Sequence, residues 1–235
     1  MSATAPLSLL NVTLEYPDGD GVLKALDGVN LAVRAGQMMS LVGPSGSGKS
    51  SLLAVAATLV RPTAGVVSVA GTETLGLSER ELSALRRENI GIIFQQPNLL
   101  PSLTAVEQLI IGDHLRGAAV KAARAKAADL LDVVGLAGSA DKRPHQLSGG
   151  QRQRVNIARA LMGKPTVLLV DEPTAALDHQ RSEAIVRLLR RITDQFQVAT
   201  VMVTHDTEFV PLTDAVATMR DGQLSAPVPT LVDAR

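Results

Sequence analysis

Apolar and polar residues alternate from Leu7 to Tyr16, and the run stops at Pro17-Asp18-Gly19, a cluster of turn formers. Period-two alternation closed by such a cluster predicts a half-buried strand. Leu26–Val33 repeats the pattern and closes at Ala35-Gly36, while Gln37–Val42 is a short apolar strand running into glycines. Val66–Val69 and Ile90–Phe94 are β-branched runs of strand length. Between them Ser78–Glu88 predicts a helix, with Ser78 as its cap and Glu81 three residues on, the two halves of a capping box.

From Pro97 to Lys164 the pattern changes: Ala, Leu, Arg and Lys recur at helical spacing, and Ala118–Val134 predicts a helix that stops at Gly135. Strand signals then return. Val167–Val170 lies between Pro165 and the acidic pair Asp171-Glu172, a helix is predicted near Gln180–Asp194, and strands at Ala199–Thr204 and Ala215–Met219 follow. Strands alternating with helices predict an α/β core with a parallel sheet, and the helical middle predicts an inserted lobe. The expected division is a core of about residues 1–96 and 165–224, a helical subdomain of about 97–164, and a tail, 225–235, with no defined element.

Composition narrows the partners. The 235 residues are 46% hydrophobic but only 2% aromatic, so Val, Leu, Ile and Ala must build the core. Lys plus Arg (23) balances Asp plus Glu (23), which leaves no electrostatic footprint for nucleic acid. Without cysteine there is neither disulfide nor thiolate metal site, in keeping with a cytosolic setting. The longest apolar stretch, around Leu52–Val60, is far short of the ~20 residues that cross a bilayer. Met1–Pro6 lacks the basic and apolar regions of a signal peptide.

The chemistry begins at Gly43-Pro44-Ser45-Gly46-Ser47-Gly48-Lys49-Ser50, a complete G-x-x-x-x-G-K-[ST] pattern between an apolar strand and a predicted helix, Lys49–Val60. Glycines let the backbone curl with its N–H groups turned onto phosphate oxygens, and the helix adds its positive end. Lys49 supplies a point charge to the β- and γ-phosphates, and the Ser50 hydroxyl can complete a Mg²⁺ shell. The bland alternative is a Gly/Ser turn that happens to end in Lys. Downstream, Thr166–Val170 runs into Asp171 and Glu172. Such a strand can hold Asp171 beside the phosphate loop as a Mg²⁺ carboxylate, with Glu172 placed to polarise the attacking water.

Leu147-Ser148-Gly149-Gly150-Gln151, followed by Arg152–Leu161, sets a serine and two glycines at a helix start. This is a second candidate anion site. One nucleotide does not need two such cradles from one chain, so the economical arrangement is a head-to-tail dimer. The segment closely resembles the signature motif of the ABC ATPase family, and the likeness extends from about Leu7 to Leu224. It implies a P-loop NTPase core of mixed and parallel sheet, an antiparallel β part near the N-terminus and a helical subdomain. It further implies that Ser148, Gly149, Gly150 and Gln151 meet the ATP held by a second copy. Gln95, after Phe94, would sense Mg²⁺ and water. Asp178 would close the loop Ala175-Ala176-Leu177-Asp178 at the dimer interface, His205 would contact the γ-phosphate, and Tyr16 would stack on adenine. Two departures are small: Ser51 stands where Thr is common, and Ala175 where Gly or Ser is usual.

Some ABC ATPases act on chromosomes or ribosomes, but the segment between Gln95 and Leu147 has no room for a long coiled coil, and there is a single cassette. Leu82–Arg87 and Glu88–Pro101 look like the macrolide-export (MacB) and lipoprotein-release (LolD) branch. That likeness implies an ATPase on the cytoplasmic face of the cell membrane driving a separate MacB/FtsX-like integral-membrane permease. Its substrate would be hydrophobic or amphipathic: lipoprotein, peptide, antibiotic or haem. A soluble, non-transport ABC ATPase is the alternative. Pro97-Asn98-Leu99-Leu100-Pro101 is expected to offer exposed leucines for a permease helix, or else to be core of the helical lobe.

Overall fold

The structure, a computed structural model, describes residues 5–19 and 21–230. Readings made for Met1–Thr4 and for the last five residues fall outside that range.

Strand β1 (Leu7–Asp18) and strand β2 (Gly21–Val33) form a hairpin, and β2 starts five residues earlier than its alternation suggested. The reason is pairing: Tyr16 faces Leu23, Pro17 faces Val22 and Asp18 faces Gly21, so the ladder runs to the turn despite poor alternation there. Strand β3 (Met38–Val42) leads into helix α1 (Lys49–Ala56). This helix is shorter than expected. Thr58 takes a left-handed φ of 55° and the amides of Leu59 and Val60 both turn back to Ala54 O, ending the helix before the apolar run does. Strands β4 (Ala64–Val69) and β5 (Thr72–Glu73) precede helix α2 (Glu79–Asn89), whose Ser78–Glu81 capping box is complete. The edge strand β6 (Ile90–Ile93) follows.

Helices α3 (Ala105–Leu115), α4 (Val120–Val133) and α5 (Gly149–Leu161) fill the middle of the chain. Thr104 and Glu107 start α3 with a second capping box. Past α4, Gly135 adopts φ 72°, and the Leu136 amide reaches back to Leu131 O, a glycine stop of Schellman type. Strand β7 (Val167–Asp171), helix α6 (His179–Phe196), strand β8 (Ala199–Val203) and strand β9 (Ala215–Arg220) complete the core. Two short strands, β10 (Gln223–Leu224) and β11 (Val228–Pro229), then pair with β9. The stretch from Ser225, poorly determined in the sequence, thus contains one short strand at Val228–Pro229. Val228 lies against Val216 and Pro229 against Ala215.

Two sheets result. One is antiparallel, in the order β2-β1-β4-β5; the other runs β10-β9-β3-β8-β7-β6 with β9, β3, β8, β7 and β6 parallel. Alternate residues of the parallel strands feed opposite cores, as the pleat requires. Val167, Leu169, Val201 and Leu41 join α1 and the antiparallel sheet in one core; Leu168, Val170, Met202 and Met38 join α5 and α6 in the other. The carboxyl ends of β3, β7 and β8 all open at one edge, where open α/β sheets bind ligands. Among the described residues no helix is long and apolar enough to cross a membrane.

Candidate functional site

At the end of β3 the chain becomes a tight loop in which two glycines, Gly43 and Gly48, are sterically fixed. Gly43 has φ 154°, and a Cβ there would lie 2.2 Å from Met219 O; Gly48 has φ 105°, and its Cβ would lie 2.4 Å from Ala25 O. The loop is also pinned by Gly222 N, which donates to Ser47 O at 3.0 Å. Lys49 is 8% exposed, and its Nζ donates to the carbonyls of Gly43 and Pro44 at 2.7 Å each. Gly48, in the cap position of α1, makes no side-chain cap bond, and the first turn carries no acid. The first amides of α1 therefore keep their donors free for an anion.

Asp171 ends β7 and Glu172 follows it with φ 41°, left-handed backbone that costs a non-glycine residue about 1–3 kcal/mol. The strain is held by Glu172 N donating to Val203 O at 3.0 Å. It aims the carboxylate at His205, whose Nδ1 is 3.2 Å from Glu172 Oε2. Burial, and then the neighbouring Glu172 charge, push the Asp171 carboxyl above its ordinary value, with Lys49 opposing. A half-buried acid whose charge is disfavoured suits a cation held jointly with phosphate oxygens. Among the described residues no three His, Cys, Asp or Glu side chains gather to hold a metal alone. The hard oxygens of Ser50 and Asp171 fit Mg²⁺, which keeps waters and phosphate in its shell.

These groups surround a cleft of about 650 Å³. Of the residues singled out from sequence, it gathers Tyr16, Gly43, Ser45, Gly46, Gly48, Lys49, Ser50, Ser51, Asp171, Glu172 and His205. Tyr16 enters from the antiparallel sheet, beside Leu23 and Ala25. Pro44 and Ser47 belong to the loop but not to its open face; Ser47 Oγ is buried without a partner among the described residues. Gln95 is exposed one residue beyond Phe94 and does not line the cleft, although Phe94 shares a smaller recess with Ser50 and Asp171. Sequence reasoning missed Lys24, Ala25 and the Asp221-Gly222 turn as walls. The turn formers at 221–222 were visible, but their packing on the phosphate loop was not.

Ser148, Gly149, Gly150, Gln151 and Asp178 stand apart from this cleft. Ser148 Oγ accepts from Gln151 N at 3.2 Å, and Gln151 Oε1 accepts from Ser148 N at 2.9 Å, so α5 is capped by its own side chains. A Cβ on Gly149 would meet Leu177 at 3.5 Å, which puts the segment beside the loop ending at Asp178. Asp178 caps α6 by accepting from Arg181 N at 2.9 Å. The expected pair of exposed leucines separates: Leu100 is 48% exposed, whereas Leu99 is partly buried against the core shared by α5 and α6.

Residues 26–175 match the family model described as ABC transporter. Across 222 residues the chain is 40% identical to a Rhodospirillum rubrum protein named lipoprotein-releasing system ATP-binding protein LolD 1, covering 94% of this chain and 98% of that one. Across 224 residues it is 42% identical to a Bartonella henselae macrolide export ATP-binding/permease protein MacB; the match covers 95% of this chain but 34% of that longer protein. Among solved structures it is similar to the ATP-binding cassette MJ0796, described as a dimer in a post-hydrolysis state bound to ADP and Pi. The TM-score is 0.85 at 37% identity, covering 97% of this chain and 100% of that one. The chain belongs to the ABC transporter family, as its ATP-binding, ATP-hydrolysing domain.

Proposed function

We propose that the cleft hydrolyses ATP between two copies of this chain joined head to tail, and that the dimer drives a separate MacB/FtsX-like permease from the cytoplasmic face of the membrane. One observation carries the reading. The lysine cradle and the Glu172–His205 pair share one cleft, while the Ser148-Gly149-Gly150 helix start of the same chain lies outside it. A second copy supplies that helix start.

Lys49 leaves the carbonyls of Gly43 and Pro44 for the β- and γ-phosphates, and amides of the loop and of the first turn of α1 close on the phosphate oxygens, Ser47 N staying on Pro44 O at 3.3 Å. Tyr16 stacks on the adenine. Ser50, Asp171 and Gln95 would hold Mg²⁺, which when bound would supply positive charge to offset that of the phosphates. Glu172 accepts a proton from, and orients, the attacking water; His205 contacts the γ-phosphate and keeps Glu172 in place. Ser148, Gly149, Gly150 and Gln151 of the second copy complete the γ-phosphate shell, with Asp178 at the interface. The likeness to LolD and MacB supports a hydrophobic or amphipathic cargo, and Leu100 with Phe94 offers the permease an apolar contact.

Glu172→Gln tests the reading. It keeps the size and removes the base, so ATP binding persists, turnover falls about 10²–10⁴-fold, and an ATP-bound dimer accumulates on size exclusion. Purified Glu172→Gln protein with ordinary turnover refutes the assignment.

A further inference from the structure

One contact between the interface loop and the turn bearing His205 has no role in the reading above. His179, the first residue of α6, directly follows Asp178. Its ring stacks on Phe209 with centroids 5.6 Å apart and 27° between planes, and its Nδ1 lies 3.3 Å from Glu208 Oε2. Phe209 is 3% exposed, whereas the side chains of His179 and Glu208 are 62% and 64% exposed. The contact thus has a buried half set in the core and a half facing solvent.

Glu208 and Phe209 belong to the short 3-10 segment Thr207–Leu212, which begins two residues after His205. The backbone between them is braced. Asp206 Oδ1 accepts from Glu208 N at 3.0 Å, Thr204 Oγ1 accepts from Asp206 N at 3.0 Å, and Thr204 N donates to Leu41 O at 3.1 Å. His205 projects from this braced turn onto Glu172. On the other side, Asp178 is held by the Arg181 amide and lies 3.2 Å from the Arg181 guanidinium. A continuous set of contacts therefore runs from Asp178 through His179, Glu208 and Asp206 to His205 and Glu172.

We infer that His179 is a positioning residue: through Glu208 and Phe209 it ties the loop ending at Asp178 to the turn carrying His205, and so sets where His205 stands over Glu172. The inference rests on the roles given above to His205 and Glu172. An exposed polar contact alone contributes little to folding, but displacing a reacting group by a fraction of an ångström is felt in the rate. The effect therefore belongs in kcat and not in stability or ATP affinity.

Full-length His179→Ala, His179→Phe, Glu208→Gln and the His179→Ala/Glu208→Gln double variant are assayed for kcat, KM for ATP and melting temperature. Glu172→Gln serves as control. His179→Ala is expected to lower kcat roughly three- to tenfold at unchanged KM, with no loss of melting temperature. His179→Phe, which keeps the stack, restores part of that loss. The double variant is expected to be no slower than His179→Ala, because both changes cut one connection. Parental kcat in His179→Ala, a matching rise in KM, or independent, multiplying losses in the double variant each overturn the inference. If Glu172→Gln itself turns over normally, it is the underlying site reading that fails. An inactive control beside a fully active His179→Ala defeats the positioning role alone.

Discussion

Two helices in this chain begin at glycines, and they begin differently. At the start of α1 the cap is Gly48, with no side chain to bond the first amides, and the loop before it lines the cleft around Lys49. At the start of α5, Ser148 and Gln151 cap each other, and the glycines that follow do not line that cleft. The first start is a candidate anion site built from its own chain's loop and helix. The second is held in shape before any anion arrives, because two of its amides, Ser148 N and Gln151 N, are already engaged locally.

The sharpest way to break this comparison is to damage each start in a different chain. Ser148→Arg is expected to leave ATP binding by the single chain intact while cutting turnover at least about 10²-fold, the scale for losing a donor to developing charge. Lys49→Ala is expected to weaken ATP binding itself, roughly 10- to 100-fold, as hydrogen bonds to charged groups are worth. Mixing the two gives dimers with one intact composite site, and turnover absent from both parents should return. A mixture as silent as its parents, in the presence of demonstrated mixed dimers, contradicts action between copies.

A smaller effect sharpens the comparison at α5. Ser148→Ala removes a cap worth about 1 kcal/mol and should lower the melting temperature of the nucleotide-free chain by about 2–4 °C. An unchanged melt means that the Ser148–Gln151 pair does not stabilise the start of α5.

The smallest effect lies beside α1. Burial and Glu172 raise the Asp171 carboxyl above its ordinary value. Folding therefore disfavours its charge. The penalty is absent below the unfolded value, develops as pH climbs to the folded one, and is complete above it. Asp171→Asn should raise the melting temperature of the nucleotide-free chain by about 1–3 °C near neutral pH, shrink that gain in acid, and abolish the extra stabilisation by Mg²⁺ with ATP. A lower melt at neutral pH would reverse the assigned sign.

Local chemistry was legible where it is written in consecutive residues. Gly43–Ser50, the Ser78–Glu81 box, the Gly135 stop and the apolar run into Asp171 are each decided by neighbours within a few positions. What tertiary pairing decides was not. The early start of β2 depends on its register with β1, and the early end of α1 on a left-handed Thr58 in an apolar run. The division of Leu99 from Leu100 depends on which of two adjacent leucines meets the core. The left-handed Glu172 leaves no trace in composition, since its strain is held by Val203, far away in the chain.

Strand β9 is flanked by β3 on one side, and on the other by β10 at Met219–Arg220 and β11 at Ala215–Val216, with Ser225 bonded to Thr218 between them. The last stretch of chain thus acts as a guard on what is otherwise an open strand edge. An unguarded edge is a template for another strand, and the first step toward aggregation. A chain cut back to Leu224 would keep every group in the ATP cleft, yet it would bare the backbone of Ala215 and Val216. Its cost would fall on solubility at high concentration, and a fusion partner that pulls residues 225–230 off β9 would carry the same cost.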